Sequence, residues 1–319
     1  MNLFKEFDNN HHYYFELFDY LSMQSLTPPT RVKQYRLLSL LHKSPNSFVY
    51  AAVEPSTSEK LVIKLIDTTH TPFERYETET SLMNSMNQRY VMRIKKSFDC
   101  GGFRVLIMSR AAGGDLHAAV HGGKITSLSQ CAKIMYRLLS ATDYLHTQRI
   151  LHGDIKDANV LLLSSTSDDP KPALTDFGFA VVLPESEKCH CNLGTGSFAS
   201  PELLNLEPHS FQSDIWSLGV TFYVLLSGKE PYQSDNLDYL RNILPKRRPT
   251  FSGGFFDEAP PSLIKMVESM MALNQIHRPT ARHCMESPFF REILGNEWIA
   301  KENAEIFGQY SSNGSSRSF

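Results

Sequence analysis

The sequence predicts an α+β fold with two lobes, a small β-rich lobe with one main helix followed by a larger, mainly helical lobe. Two hairpin patterns support the first lobe: FVYAAVEPSTSEKLVIKLI places a polar turn between two apolar strands, and YVMRIKKSFDCGGFRVLIM turns at Gly101 and Gly102. Two segments with helical apolar spacing, SQCAKIMYRLLSATDYLH and SDIWSLGVTFYVLLSG, support the second lobe. Strands followed by a run of helices are typical of α+β proteins.

The remaining segments can be assigned in chain order. Residues 1–33 form an N-terminal extension that contains a short helical pattern. Four apolar or aromatic residues fit one face of that helix: Tyr14, Phe15, Phe18 and Leu21. The stretch ERYETETSLMNSM predicts the main helix of the first lobe, and PSLIKMVESMMAL predicts a further amphipathic helix in the second. Residues 293–319 form a C-terminal tail whose Ser/Gly-rich end, GQYSSNGSSRSF, predicts partial disorder.

The charge and cysteine content exclude several classes of protein. Lys and Arg number 32 against 34 Asp and Glu, so no general positive field attracts nucleic acid or an anionic membrane. The five cysteines are odd in number and scattered, which predicts reduced thiols in an intracellular protein. The first ten residues lack the apolar core of a secretory signal, and the apolar runs are too short for a membrane span. We therefore expect a cytoplasmic, monomeric protein with no nucleic-acid or membrane partner.

Four polar side chains stand between two apolar runs in the stretch ILHGDIKDANVLL: His152, Asp154, Lys156 and Asn159. The stretches LTDFGFA and GTGSFASPELL follow it in that order. Together these motifs resemble the catalytic core of the eukaryotic protein kinases, over roughly residues 34–292. Several spaced motifs in the right order are far more specific than any one of them.

The resemblance implies a particular division of the chain and a particular chemistry. The kinase domain would span residues 34–292, with an N-lobe at about 34–108, a hinge at 109–111 and a C-lobe at about 112–292. It implies ATP and Mg²⁺ as cofactors and a protein substrate with a serine or threonine acceptor. Lys156 in DIKDAN and Thr195 in GTGSF are similar to the serine/threonine branch, and GGDL weakly resembles the calcium/calmodulin-dependent kinase-like group.

The residue types in these motifs suit phosphoryl transfer, which needs positive charge on the phosphate oxygens, a proton acceptor and alignment. By resemblance, Asp154 would be the catalytic base and Lys156 would reach the transferring phosphate. Asn159 and Asp176 are hard oxygen ligands suited to Mg²⁺. Any one of these residues alone is more simply explained as a solvated loop side chain. All four in one ordered pattern favour the catalytic interpretation.

Lys64 ends the apolar strand LVIKL and matches the lysine that the family uses on its nucleotide. That lysine needs a glutamate partner on the main helix. Counting back from NQRYVMRI selects Glu79, and Glu77 is the alternative, because a helix offset of two residues turns a side chain to another face. An outward-pointing strand lysine is the simpler interpretation that this pairing would exclude.

The resemblance also implies residues around the nucleotide. Val49 and Leu161 would sandwich the adenine, Met108 would be the gatekeeper, and Asp115 would hold the ribose. The hinge, Ser109 to Ala111, would bind adenine through its backbone. Each of these residues is equally compatible with an ordinary position in a core or loop, so alignment alone supports the assignments.

The nucleotide loop departs from the family pattern. The three glycine positions of G-x-G-x-x-G-x-V are His42, Ser44 and Ser47, in HKSPNSFV. Serine keeps the backbone N–H that can bind phosphate, whereas His42 is bulkier and Pro45 removes a donor. We therefore predict weaker ATP binding, with Ser44 and Ser47 still contributing to the nucleotide site. The alternative function is a pseudokinase scaffold with weak or no turnover.

The catalytic loop and the C-lobe scaffold give two further predictions. Gly153 replaces the arginine that normally pairs with a phosphate on the activation loop. Phosphorylation at Ser186, Thr195 or Ser197 should therefore not be required for activity. By resemblance, Glu202 should form a buried ion pair with Arg278, and Asp214 should hold the backbone of the catalytic loop.

Overall fold

The computed structural model describes residues 30–164, 168–184, 188–189, 196–234 and 236–311, with side chains described as far as residue 306. Backbone contacts divide these residues into two units. The first unit holds the described residues up to Ser85 together with Arg93–Arg110, and the second holds Met86–Met92 and the described residues from Ala111 onward. The predicted N-terminal helix with Tyr14 lies outside the described residues.

The first unit is an antiparallel sheet with one helix. Its elements are β1 (Arg31–Val32), β2 (Tyr35–Ser44), β3 (Ser47–Glu54), β4 (Glu59–Asp67), α1 (Phe73–Ser85), β5 (Ile94–Cys100) and β6 (Phe103–Ser109). The strands are ordered β1-β2-β3-β4-β6-β5. Both predicted hairpins and the predicted main helix are present.

The two faces of this sheet differ because side chains alternate along each strand. One face carries the apolar core of the unit: Tyr50, Ala52, Leu61, Ile63, Leu65, Phe103, Val105 and Ile107. The other face carries Ile66 and Leu106, against which Tyr76 of α1 packs. Lys64 lies between Ile63 and Leu65 in the sequence and therefore points to the face that α1 covers.

The second unit is mainly helical. Its helices are α2 (Leu116–His121), α3 (Leu128–Thr147), α4 (Pro201–Leu204), α5 (Phe211–Ser227), α6 (Leu237–Ile243), α7 (Pro261–Met270), α8 (Ala281–Met285) and α9 (Pro288–Ser311). A capping box between Ser127 and Gln130 starts α3, and Gly228 in the left-handed conformation ends α5. Nearly every residue of α5 is buried, as its apolar sequence predicts.

Short strands in the second unit support its polar loops. These strands are β7 (Gly114–Asp115), β8 (Ile150–Leu151), β9 (Val160–Leu162), β10 (Pro172–Leu174) and β11 (Val181–Val182). They form a β10-β9-β7 sheet and a β11-β8 pair. Residues 152–159 connect β8 to β9, and residues 175–180 connect β10 to β11. Both ends of each loop are therefore anchored by hydrogen-bonded strands.

Helix α9 continues well past residue 292, the predicted end of the kinase domain. The backbone bends at Gly295, where φ is 77°, and the helix then runs to Ser311. Glu302 is buried on this helix and forms an ion pair with Arg137 of α3, at 2.7 Å between Nη2 and Oε2. The Tyr90 hydroxyl also donates to Glu302. Residues 308–311 of the predicted disordered end belong to α9, and the rest of that stretch lies outside the described residues. Among the helices of the described residues, none has the length and apolar character to cross a membrane.

Candidate active site

Two side chains of the catalytic loop converge on Asp154. The amide Nδ2 of Asn159 donates to both the backbone oxygen and the Oδ2 atom of Asp154, each at 2.9 Å. The Lys156 ammonium lies 2.9 Å from the same Oδ2 atom. Asp154 is only 3% exposed, so these contacts fix its carboxylate in one orientation. A carboxylate held in this way can accept a proton from a hydroxyl without reorganising first.

Asp214, at the start of α5, holds the backbone of this loop. Its two carboxylate oxygens accept hydrogen bonds from the backbone N–H groups of His152 and Gly153, both at 2.9 Å. The His146 ring nitrogen Nε2 lies 3.0 Å from Asp214 Oδ2. Burial raises the pKa of Asp214, but the hydrogen bond and charge of His146, together with the hydrogen bond from the His152 backbone, lower it more, so the net pKa is below its usual value. The predicted support of the catalytic loop by Asp214 is therefore confirmed.

His152 links the catalytic loop to the segment that carries Asp176. Its Nε2 atom lies 3.2 Å from the backbone oxygen of Thr175, and because a carbonyl only accepts, Nε2 carries the proton. Its Nδ1 atom then accepts from the backbone N–H of Asp154 at 3.3 Å. The ring also packs on Phe177, with 4.7 Å between ring centroids. His152 therefore holds the residues on both sides of Asp176.

Asp176 has an unusual backbone conformation, with φ at 65°. This left-handed region is unfavourable for residues other than glycine and is occupied where surrounding contacts enforce it. Thr175, the preceding residue, donates its backbone N–H to the Asn159 oxygen at 3.0 Å. The two predicted metal ligands, Asn159 and Asp176, thus lie on segments that are hydrogen-bonded to each other.

In the first unit, the Lys64 ammonium contacts Glu79 of α1 at 2.7 Å. The Lys64 side chain is 12% exposed and the Glu79 side chain 5%, so the pair is largely removed from water. Glu77, the alternative partner, instead pairs with Arg104 of β6. The alternation of β4 turns Lys64 toward α1, and the helix offset of two residues leaves Glu79 buried on that side while Glu77 is half-buried.

The nucleotide-loop hairpin, residues 42–49, is a tight turn at Pro45 and Asn46. The hydroxyls of Ser44 and Ser47 lie 2.8 Å apart, so the two serines that replace glycines are hydrogen-bonded across the hairpin. The Asn46 backbone oxygen accepts from Asp67 N–H at 2.9 Å, and its side chain donates to the His70 oxygen at 3.3 Å. The tip of the hairpin is therefore attached to the end of β4 and the turn after it.

The other predicted nucleotide residues form neighbouring pairs within each unit. In the first unit, Val49 is the strand partner of Lys64, and buried Met108 is the partner of Val62. In the second, Asp115 is the strand partner of Leu161. The Asp115 carboxylate also caps α2 by accepting from Ala118 N–H at 2.7 Å. These contacts do not test nucleotide binding, so the nucleotide-binding roles of these residues stay predictions.

The ends of the predicted hinge lie on either side of the unit boundary. Ser109 closes β6 and is exposed, whereas Ala111 opens the second unit and is half-buried.

The predicted ion pair between Glu202 and Arg278 is confirmed. Two parallel hydrogen bonds join the guanidinium to the carboxylate, both at 2.7 Å, and Ser213 donates a third at 2.7 Å. Both side chains are buried. Burial raises the pKa of Glu202, but the hydrogen bonds and charge of Arg278 lower it more, so the net pKa is below its usual value.

Arg149 lies just before β8 and belongs to none of the motifs recognised in the sequence. Its Nε atom donates to the Leu183 oxygen at 3.2 Å, and Leu183 N–H donates back to the Arg149 oxygen at 2.8 Å. Arg149 thus holds the beginning of the activation segment. The feature of the sequence that could have indicated this role is the position of Arg149 immediately before the catalytic motif. Of the three predicted phosphorylation positions, Ser186 and Thr195 lie outside the described residues, and Ser197 donates to Glu230 at 2.6 Å.

Comparison with known proteins gives consistent matches. The sequence pattern of the protein kinase domain matches residues 38–290. Serine/threonine-protein kinase 33 of Mus musculus is 26% identical over 276 residues, which cover 83% of this chain and 54% of that protein. Calcium/calmodulin-dependent protein kinase type II of Caenorhabditis elegans is 27% identical, over 83% of this chain and 37% of that protein. Serine/threonine-protein kinase Nek6 of Oryza sativa subsp. japonica is 29% identical, over 82% and 49% respectively. The chain spans about half the length, or less, of these three relatives.

Proposed function

The chain belongs to the protein kinase family, and we propose that it transfers the γ-phosphoryl group of Mg·ATP to serine or threonine hydroxyls of protein substrates. The observation that carries this proposal is the convergence of Lys156 and Asn159 on the buried carboxylate of Asp154. Three costly polar groups held at one buried point suit chemistry better than a scaffold, because a scaffold gains nothing from them.

The donor set fits the two cofactors that the family uses. Because Asn159 Nδ2 is committed to Asp154, the amide oxygen is the atom that remains to bind a cation. Together with the Asp176 carboxylate it offers the hard oxygen ligands that Mg²⁺ prefers. Lys64, oriented by Glu79, is the cation proposed to hold the ATP phosphates. With Mg²⁺ and ATP bound, positive charge would neutralise the oxygens of the transferring phosphate.

The remaining roles fall to the chain's own residues. Asp154 would orient the substrate hydroxyl and accept its proton, and Lys156 would stabilise negative charge that develops beside it. Asp214 and His152 would keep the loop backbone in place. Val49, Leu161, Met108, Asp115 and the 109–111 segment are proposed to contact the nucleoside, and Ser44 and Ser47 the phosphates.

The chemistry of the chain also supports a proposal on its partners and location. The net charge of −2 offers no general attraction for nucleic acid. The described cysteines, Cys100, Cys131, Cys189 and Cys284, form no disulfide. We propose a monomeric cytoplasmic kinase that acts on proteins.

One structural feature favours a second candidate, a pseudokinase scaffold with weak or no turnover. The nucleotide-loop hairpin lacks its glycines and is closed by the bond between Ser44 and Ser47. Backbone that is held in this way approaches phosphates less readily than a glycine loop. A scaffold of this kind would keep the fold but show no transfer.

Transfer of labelled γ-phosphate from Mg·ATP to a serine-rich protein tests the proposal. We expect the wild type to transfer phosphate and Asp154→Asn to lose about 10²–10⁴-fold in rate, the usual contribution of a catalytic acid or base. Asp176→Asn should lose activity as well. The matched control is Asp143→Asn on α3, which removes a carboxylate that contacts Arg282 at 2.6 Å and leaves the catalytic loop unchanged.

The outcome separates the two candidates. If neither the folded wild type nor Asp154→Asn transfers phosphate, the result contradicts the kinase proposal and favours the scaffold. Thermal stabilisation by Mg·ATP, measured on the same samples, would then say whether the scaffold still binds nucleotide.

A further inference from the structure

Two histidines and a buried carboxylate form a cluster that the proposed kinase chemistry does not use. His117 and His121 are four residues apart on α2, so they share one face of the helix, with 4.2 Å between their ring centroids. The Asp157 side chain, in the 3₁₀ turn before β9, is only 5% exposed. One donor atom from each of the three residues lies within 4.8 Å of the others.

We propose that this cluster binds a transition-metal dication of the zinc class. His117 and His121 would be the ligands, through their Nε2 atoms, and Asp157 would orient His117. Two histidines spaced four apart on a helix are a recurrent way to present two imidazoles to one metal ion.

The hydrogen bonds of the two rings leave the nitrogen atoms that a metal needs. His121 Nδ1 lies 2.9 Å from the His117 backbone oxygen, and since a carbonyl only accepts, Nδ1 carries the proton. His117 Nδ1 lies 2.8 Å from Asp157 Oδ2, where the carboxylate likewise accepts. In the neutral form, each ring therefore presents Nε2 with its lone pair. Metal-binding histidines commonly donate their other nitrogen to a backbone oxygen or a carboxylate in this way.

The position of Asp157 supports an orienting role. Its Oδ1 atom accepts from the backbone N–H of Ala158 at 2.9 Å, and its Oδ2 atom faces His117. A carboxylate that is almost wholly removed from water needs positive charge nearby. A metal ion on His117 would supply that charge through the ring, as in carboxylate–histidine–zinc arrangements.

A pocket beside the cluster offers room and further oxygen donors. Its volume is about 360 Å³, and its lining includes all three residues of the cluster together with Glu230 and Gln233. A third protein ligand could come from Glu230, whose Oε2 atom accepts from Ser197. Lys229 also lines the pocket, and its positive charge would lower the affinity of the site for a dication. Imidazole ligands with oxygen donors suit Zn²⁺, Cu²⁺ and Ni²⁺, whereas Mg²⁺ prefers oxygen alone.

The test is a calorimetric titration of the EDTA-treated full chain with Zn²⁺, in excess Mg²⁺ so that Asn159 and Asp176 do not contribute. We expect one equivalent in the wild type that is lost in His117→Asn and in His121→Asn. Asp157→Asn should retain the stoichiometry and weaken binding by about 10–100-fold, the usual effect of removing an orienting partner. Titration with Co²⁺, followed by its visible absorption, should give the same ranking.

A matched control is His70→Asn. His70 contacts a carboxylate in the same way, with Nδ1 at 2.7 Å from Asp67, but it lies outside the cluster. This variant should bind zinc like the wild type. His121→Asn should keep the unfolding midpoint of the metal-free wild type, because its ring is exposed, and it therefore tests loss of the metal apart from the contact of His117 with Asp157.

Two results would overturn the proposal. One is an unchanged zinc equivalent in both histidine variants of the cluster. The other is loss of that equivalent in the double variant Cys189→Ser, Cys191→Ser with both histidines intact, which would assign the metal to the two cysteines of the stretch CHC, residues 189–191. Neither result depends on kinase activity.

Discussion

The catalytic loop, residues 152–159, and the nucleotide-loop hairpin, residues 42–49, are held in place in different ways. In the catalytic loop most of the polar side chains are buried, and other elements of the same unit hold its backbone, as Asp214 on α5 does at His152 and Gly153. In the hairpin, the side-chain contacts are part-buried or exposed, between Ser44 and Ser47 and between Asn46 and the His70 backbone. Buried groups with several partners tolerate little change, because each lost partner leaves an unsatisfied group.

The two loops also differ in how far their sequences depart from the pattern of the kinase family. The catalytic loop retains its chemical residues, and their geometry depends on contacts from residues far along the chain. The hairpin has exchanged all three glycines, and local hydrogen bonds between the new side chains stabilise the turn. The predictions that follow measure how far each loop depends on its contacts.

The largest effect on stability is expected for Asp214→Ala. The substitution leaves the buried N–H groups of His152 and Gly153 without their acceptor, at about 1–3 kcal/mol each. The free energy of unfolding should fall by roughly 2–6 kcal/mol, and phosphate transfer should fall with it at temperatures where the variant is still folded. Urea unfolding of the variant and the wild type measures the change.

The comparison in the hairpin is Ser44→Ala. It removes one part-buried hydrogen bond, which is worth about 0.5–1.5 kcal/mol. A loss of stability in Ser44→Ala as large as that in Asp214→Ala would show that the hairpin is no less constrained than the catalytic loop.

Acid should weaken the scaffold around the catalytic loop. The pKa values of Asp214 and Glu202 are lowered in the folded state, so both carboxylates bind protons less readily than in the unfolded chain. Their stabilising contribution is therefore complete above the unfolded values, 3.8 and 4.5, and is lost as pH falls through the lower folded values. Urea unfolding at a series of pH values from about 6 to 3 should show the decline.

The variant Glu202→Gln separates this cause from general acid unfolding. It should be less stable than the wild type at neutral pH, because Arg278 loses a charged partner. On acidification it should lose less stability than the wild type, since one of the titrating groups is gone. Identical pH slopes for the two proteins would rule out Glu202 as a contributor.

A smaller effect is expected when glycines are restored in the hairpin. The double variant Ser44→Gly, Ser47→Gly removes the hydroxyl bond and frees the backbone to approach phosphates. We expect ATP to bind several-fold more tightly, by up to about 1.4 kcal/mol for a tenfold change. Calorimetric titration with Mg·ATP measures the affinity. The control Ser44→Ala, Ser47→Ala also removes the bond but keeps the Cβ atoms, and it should gain less.

The features that could be predicted from the sequence are those that depend on residues close together in the chain. The hairpin at Gly101 and Gly102, the helix α5 and the Lys64–Glu79 pair were each readable, because strand alternation and helix periodicity fix which face a residue takes. The positive φ of Asp176 was not readable, since it results from contacts with other segments.

Long-range contacts were the part that the sequence did not reveal. The sequence predicts a partly disordered tail from residue 293, yet Glu302 in that range lies on α9 and forms a buried pair with Arg137, 165 residues earlier in the chain. The cluster of His117, His121 and Asp157 likewise joins a helix to a turn 40 residues later. No local pattern marks such partners, and only the fold brings them together.

The smallest effect is expected from removing phosphate from the activation loop. Gly153 stands where the family's phosphate-binding arginine would be, and backbone contacts hold the activation segment instead. Val181 pairs with Leu151, Arg149 binds Leu183, and the backbones of Cys189 and His209 exchange hydrogen bonds at 3.0 and 3.1 Å. Phosphatase treatment should therefore change the transfer rate by less than about twofold, or about 0.4 kcal/mol in activation free energy. Phosphate mapping at Ser186, Thr195 and Ser197 before and after treatment confirms that the sites were cleared. The prediction fails if the treated protein is inactive and a restored loop phosphate makes it active again. Since Gly153 stands where the family has its phosphate-binding arginine, another cationic side chain would then have to bind that phosphate. The catalytic loop would also depend on its surroundings more than its own contacts indicate.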